Sequence, residues 1–310
     1  MSPWIAGPRL ARPLALLLTA VVLSACDAAG RALRDTDHPL AGTIWDVSTG
    51  EEIAENALIE RLDRADFIIL GELHDNPEHH ARQARLVAAL SPAGIAFEMV
   101  PEASEEGIAV FRAQGGTPGE IGPAIGWERL GWPDWEMYRP IFEAAPEAYV
   151  AGGGVSRPAL SAAMSTGAAA AFGGGARAYG LATPLPEPVR AALEAEMIAA
   201  HCDAIPARIA GPLVEAQRLR DARFAHALRR AAAAGGGQAV LITGNGHARI
   251  DRGVPAALRE AVPDAEIVSL GQIEVSPGAT EAAPRLAEAP YDLVWFSGRA
   301  ERDDPCAAFR

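Results

Sequence analysis

The chain has 310 residues, 49% hydrophobic and 22% charged, with Gly 31 and Pro 24, a globular composition with ample material for a core and many turns. Its formal net charge is −13, which argues against nonspecific nucleic-acid binding, because that rests on clustered cation–phosphate contacts. Every basic residue is Arg and there is no Lys, so mechanisms that need a lysine amine are excluded, and no heptad or solenoid-type repeat is sustained.

The first segment reads as an address. Arg9 and Arg12 form a short positive region, and Leu14 to Leu23 is an apolar run. That run is too short to span a bilayer, which takes about 20 apolar residues. Leu23-Ser24-Ala25-Cys26 resembles a bacterial lipobox, with a plain secretory signal and a chance cysteine as the alternative. The expectation is a leader at 1–25, a lipidated Cys26 opening a tether over 26–41, and one domain over 42–310. More than one acyl chain would anchor it to a membrane. The protein would then sit in the cell envelope, lipid-anchored and facing the periplasm, with the choice of membrane open. Export also leaves Cys202 and Cys306 where disulfides persist. A Cys202–Cys306 bond is expected over two unrelated buried thiols.

Next in order, Glu51 to Arg64 has helical spacing, and Asp66 to Leu70 is a short apolar β-type run. Asp75-Asn76-Pro77 carries a capping residue and a first-turn proline, so it starts a helix that reaches about Leu90. Gly94 to Phe97 is a second strand, and Glu102 to Gln114 is helical. Residues 115–134 read as loop, Trp135 to Ala145 as helix and Ala148 to Ala151 as a third strand. Residues 167–186 read as irregular. Helices follow at Glu187 to His201 and Pro206 to Ala234, where Ile209, Leu213, Ala216 and Leu219 step by four, three and three. Gln238 to Thr243 is a fourth strand, Pro255 to Val262 a helix, and Glu266 to Leu270 and Asp292 to Phe296 two last strands. Strands alternating with helices predict one α/β domain: a largely parallel central sheet flanked by helices, plus a helical excursion.

Chemistry collects at the strand exits. After FIIL comes Gly71-Glu72-Leu73-His74, after GIAF comes Glu98, after AYVA come three glycines, and after AVLIT comes Gly244-Asn245-Gly246-His247. Open parallel sheets bind ligands at the carboxyl ends of their strands. Glu72, His74, Glu98 and His247 are therefore expected to share one edge, with the two imidazoles facing each other across one pocket. Asp75 and Asn76 are read as helix caps, and His79 and His80 as helix surface. Gln217 and Asp221 either reach the site or pair with Arg.

The segments FIILGELHDNPEHH, GIAFEM, HCDAIP, VEAQRLRDARFAHAL, VLITGNGHARIDRGVP and DLVWFSGRAERDDPC resemble the ChaN-like haem-binding lipoproteins. These belong to the Tiki superfamily, also called the TraB and erythromycin-esterase-like group. The resemblance runs from about residue 40 to the C-terminus. It implies haem or iron uptake at a membrane, with a homodimer enclosing two cofacial haems, each iron bound by a tyrosine and propionates held by His and Lys of the partner. Of four tyrosines, Tyr138, among the tryptophans of GWPDWEMYRP, is the first candidate for the iron and Tyr179 the second; Tyr149 and Tyr291 fit core packing. His74 and His247 are further cofactor-binding candidates. The Lys has no counterpart here, and Arg139 or Arg157 would substitute. The superfamily also contains hydrolases, which implies an alternative: Glu72, His74, Glu98 and His247 as catalytic residues, with or without a divalent metal.

Overall fold

The computed structural model describes residues 32–304, 306 and 307. The expected leader and Cys26 lie outside the described residues. Strand β1 (Leu33–Arg34) comes first, then a short hairpin of β2 (Ile44–Asp46) and β3 (Glu51–Ile53). Gly50 turns it with φ of 68°, a conformation that favours glycine. Helix α1 (Glu55–Asp63) leads into β4 (Phe67–Glu72), α2 (Pro77–Leu90) and β5 (Gly94–Pro101). Three helices, α3 (Glu105–Ala113), α4 (Ile121–Ile125) and α5 (Trp135–Ala144), precede β6 (Tyr149–Gly154). The excursion is α6 (Arg157–Thr166), α7 (Ala168–Phe172), α8 (Glu187–Ala200) and the long α9 (Ala207–Gly235). The chain returns through β7 (Ala239–Gly244), α10 (Asn245–Ala248), α11 (Val254–Ala261), β8 (Ile267–Glu274), α12 (Ala283–Ala287), β9 (Leu293–Ser297) and β10 (Arg299–Ala300).

Eight strands form one sheet in the order β3-β2-β9-β8-β4-β7-β5-β6. The six from β9 to β6 run parallel, and β2 joins β9 antiparallel. Side chains alternate across the central strands. Ile68, Leu70, Ile95, Phe97, Val240 and Ile242 enter a core with α1, α2 and α5. Ile69, Ala96, Leu241 and Ala151 enter a core with α9 and α11. Burial on both faces explains why these strands read as unbroken apolar runs.

The winding places the site. From β4 the chain crosses through α2, on one face, to β5; from β7 it crosses through α11, on the other face, to β8. Neighbouring strands β4 and β7 therefore send their exits to opposite faces, which opens a crevice at their carboxyl ends.

Several expectations change. The three-residue strands β2 and β3 carry too little pattern to be read, and β3 replaces the first turn of the expected helix at Glu51. Short helices, α4 among them, occupy the stretch 115–134 read as loop, and α7 with a 3-10 turn at Ala176–Tyr179 occupies part of 167–186. The described part of the expected tether does not hang free. Leu33–Arg34 pairs with Arg299–Ala300, and Leu40 is buried in the core beside α9 and β9. No helix among the described residues is long and apolar enough to cross a membrane.

Cys202, just beyond α8, is bonded to Cys306, with 5.5 Å between the Cα atoms and a sequence separation of 104. In the chain-entropy model a loop of that length contributes about 4–5 kcal/mol. Urea unfolding of Cys202→Ser should show a loss of that order, and wild type in reductant should match the variant. Coincident oxidised and reduced curves would contradict it.

Candidate functional site

Register decides which side chains meet. Glu72 lies opposite Gly244, and Phe97 opposite Ile242, so the exits of β4, β7 and β5 form three adjacent steps. Glu72 shares the parity of Ile68 and Leu70 and points into the α2/α5 face. Glu98 and Thr243 share the parity of Ala96 and Leu241 and point to the α9 face. His74, two residues past its strand, bridges the two at the tip of the sheet.

The result is an alternating row of carboxylates and imidazoles. His74 Nδ1 donates to Glu72 Oε1 at 2.8 Å, and its Nε2 lies 4.0 Å from Glu98 Oε2. The other Glu98 oxygen lies 3.6 Å from His247 Nε2. His247 Nδ1 in turn donates to Asp221 Oδ1 of α9 at 2.6 Å. Glu98 Oε2 also accepts from Thr243 Oγ1 at 2.7 Å and from the Gly244 amide at 2.9 Å. Gly244 is needed here: a Cβ would stand 3.1 Å from His74 Nε2, and the ring would have to give way. Each imidazole rests against an aromatic ring, His74 against Trp132 at 5.0 Å and His247 against Phe224 at 4.7 Å.

The charges follow from this order. Burial alone would raise Glu72, but His80 and His74 hold its carboxyl far below the usual range. Burial opposes a charge on His74, yet the Glu72 hydrogen bond and the charges of Glu72 and Glu98 raise its pKa to about 9. His247 is raised against its own burial by Glu98 and Asp221. Glu98 is lowered, with His247 and His74 outweighing burial. Asp221 is raised, because its burial outweighs His247.

All four tyrosine hydroxyls are engaged by groups of the protein. Tyr138 is 0% exposed beneath the site. Its hydroxyl donates to Glu72 Oε1 at 2.8 Å, and burial and that carboxylate push its pKa well above 10. It is a clamp on Glu72, sealed from any iron in the crevice. Tyr179, the second candidate, is buried on the far side of α9, with its hydroxyl on His226 Nδ1 at 2.9 Å and on Arg229 at 3.0 Å. The remaining hydroxyls donate to Glu105 from Tyr149 and to the Asn245 carbonyl from Tyr291. Of the two arginine candidates, Arg139 is tied to Glu136 and Glu143 along α5, whereas Arg157 lines the crevice.

His79 and His80 are not helix surface; they are 0% and 1% exposed. His79 Nδ1 accepts from the Leu73 amide at 2.9 Å and its Nε2 meets Ser297 Oγ at 2.7 Å. Burial and Arg82 hold it neutral. His80 Nε2 donates to the His74 carbonyl at 3.0 Å. Both rings pin the Leu73–His74 exit. Asn76 caps Glu78 as expected and also donates to the Gly298 carbonyl at 2.9 Å. Thr243 is a site residue that the sequence did not single out, and His80, read there as helix surface, is brought to the site only by packing; neither has a signal beyond adjacency to the strand-exit motifs. No group of three His, Cys, Asp or Glu among the described residues is arranged to hold a metal ion, so the divalent-metal alternative gains no support.

Glu98, Trp132, Phe224 and His247 wall a cleft of about 870 Å³, joined by Arg157, Arg220, Arg223 and the backbone of Gly152–Gly154. Arg220 makes no ion pair among the described residues.

A family model described as haem-binding uptake, Tiki superfamily, ChaN, matches residues 58–258, roughly two thirds of the chain. The chain belongs to the ChaN family. The match spans Glu72, His74, Glu98, Tyr138, Asp221 and His247. Among solved structures, cofacial heme-bound ChaN of Campylobacter jejuni is similar at 20% identity, with a TM-score of 0.62, over 81% of this chain and 95% of that one; this shows a shared fold. The type III effector HopBA1 is a fainter likeness, at 12% identity and a TM-score of 0.43 over 87% of this chain and 98% of that one. No curated protein matches the sequence significantly.

His74 tests the electrostatics of this ChaN-family site. Its folded pKa of about 9 lies above the ordinary 6.5. The stability it contributes is therefore complete below pH 6.5 and lost as the pH rises through 9. Glu72, shifted downward from 4.5, contributes above that value and loses its contribution only in strong acid. Proton NMR should show the His74 imidazole titrating near pH 9, and Glu72→Gln should bring it back toward the ordinary range. An unchanged midpoint in the variant would break the assignment.

Proposed function

We propose that this protein binds haem in the cleft between Trp132 and Phe224, as a lipid-anchored protein of iron or haem uptake facing the periplasm, and that it pairs as a homodimer on loading. The observation that carries the reading is the cleft itself, in a chain of the ChaN family. It combines aromatic walls with Arg157 and with Arg220, which has no ion pair among the described residues, and the partly exposed imidazole of His74 packs on its Trp132 wall; the volume is within the range of cofactor sites. Arg157 and Arg220 line the same cleft and would supply cations to the propionates in a chain without lysine. Bidentate guanidinium suits carboxylates.

The residues present fit a haem through His74 rather than through a tyrosine, because all four tyrosine hydroxyls are engaged inside the protein. His74 has the arrangement of a metal-binding imidazole: Nδ1–H donates to a buried carboxylate, which fixes the ring and leaves Nε2 as the ligand nitrogen. His74 side-chain exposure is 33%, so it is reachable. Haem would supply iron to be carried; Glu72 would orient the imidazole, and Tyr138 and His80 would hold Glu72. Ligation at Nε2 must release the proton that His74 keeps up to pH 9, so affinity should rise with pH across that range.

Residues 27–310 titrated with hemin should give a stoichiometric Soret shift and a monomer-to-dimer change in size. His74→Ala should abolish the shift. Tyr138→Phe should keep the spectrum while costing about 1–3 kcal/mol of stability, as expected for a lost buried hydrogen bond to a charged group. No Soret shift would end the haem reading. A spectrum changed by Tyr138→Phe and not by His74→Ala would return the iron to the tyrosine.

A further inference from the structure

A second cavity, of about 450 Å³, lies on the other side of the His247–Asp221 pair, between α8, α9 and α11. Its walls are apolar, built from Leu181, Leu185, Leu193, Met197, Val214 and Ala256. Its floor is polar, formed by Asp221, Gln217 and Gly246. The haem reading uses none of this space.

Asp221 gives the cavity its chemistry. It is 7% exposed, and its Oδ1 is taken by His247. Its Oδ2 has no hydrogen-bond partner among the described residues, yet it is not sealed from solvent. A carboxylate oxygen without a donor therefore remains on the floor of a largely apolar pocket. The cations around the mouth are already neutralised. Arg218 pairs with Glu215 and donates to the Thr183 carbonyl at 2.8 Å, and Arg252 pairs with Glu196. Glu260, also at the mouth, has no ion pair among the described residues. Beyond its one contact with His247, Asp221 keeps an oxygen open to the cavity, and with Glu260 it gives the lining an acidic character.

We infer that this cavity is a second small-molecule site, taking an apolar or aromatic primary amine whose ammonium donates to Asp221. The volume suits a ligand of about ten heavy atoms, at the small end of ordinary binding sites. The apolar walls supply the affinity, and the buried carboxylate selects a cation over an anion of the same shape. A ligand there also bears on His247, because an ammonium on Asp221 competes with the imidazolium for the same carboxylate. The site is thus coupled to the haem cleft through one hydrogen bond.

The probe is 2-phenylethylamine, with 3-phenylpropanoate as the anion of similar shape, titrated into the haem-free chain of residues 27–310 and followed by calorimetry and by NMR of the Met197 methyl and the His247 ring. Saturable amine binding is expected, at least about tenfold tighter than the carboxylate, since hydrogen bonds to charged groups are of that worth. Both the Met197 and His247 signals should move. Ala256→Leu, a half-exposed position that narrows the cavity, should abolish binding, and Asp221→Asn should erase the preference for the amine. If Asp221→Asn fails to fold, the amine–carboxylate comparison and Ala256→Leu decide alone. Equal binding of both probes, no saturation, or binding that survives Ala256→Leu overturns the inference. A hemin titration of the same samples keeps the outcome separate from the haem reading: loss of the Soret shift with intact amine binding sinks only the latter.

Discussion

Glu98 is buried in β5, one residue past the last pair that strand makes with β7, and the rest of the site is arranged to keep it charged there. A carboxylate without partners in such a place would be strongly destabilised or would take up a proton. Here one oxygen holds the Thr243 hydroxyl and the Gly244 amide, and the imidazoles of His74 and His247 stand over one oxygen each. Both imidazoles are shifted toward the charged form, because each also has a second carboxylate, Glu72 or Asp221. Three acids and two bases alternate, so every buried charge is flanked by its opposite. Removing any one of them leaves an uncompensated neighbour, which is where buried ion pairs become costly.

The row crosses from one side of the sheet to the other. Glu72 belongs to the core of α2 and α5, where Tyr138 and His80 fix it; Asp221 belongs to the core of α9. Only the edge of the sheet lets one network touch both. The crevice opens there because β4 and β7 hand their chains to opposite faces. The same geometry leaves His247 between two cavities, with Phe224 and the cleft on one side and Asp221 and the apolar pocket on the other.

The loop that carries His74 is held from several directions. His79 takes the Leu73 amide, His80 donates to the His74 carbonyl, and Asn76 reaches Glu274 and Gly298. Arg302 clasps Asp75 and Glu274. A few residues later, Cys306 is bonded to Cys202, so the tail runs as a strap from the site loop to the helical excursion. Positions that look like spare polar residues on a helix are in this way the supports of one imidazole.

The sequence by itself determined the six parallel strands, the helices between them and the edge on which Glu72, His74, Glu98 and His247 meet, because apolar runs buried on both faces and glycine-marked exits are local patterns. It also pointed to the family, through ordered motifs from about residue 40 to the C-terminus. Tertiary structure alone decided which polar residues were buried. His79 and His80 lie in a polar stretch at the start of α2, and only packing against β9 and α5 hides them. Tyr138 carries the same aromatic signal whether it faces a cleft or a carboxylate; the parity of Glu72 in β4 turned it inward. Asp221 stands among arginines in sequence, yet α9 lies across the sheet and aims that one turn at His247. Strand parity and helix packing are relations between segments far apart in the chain, and no window of residues contains them.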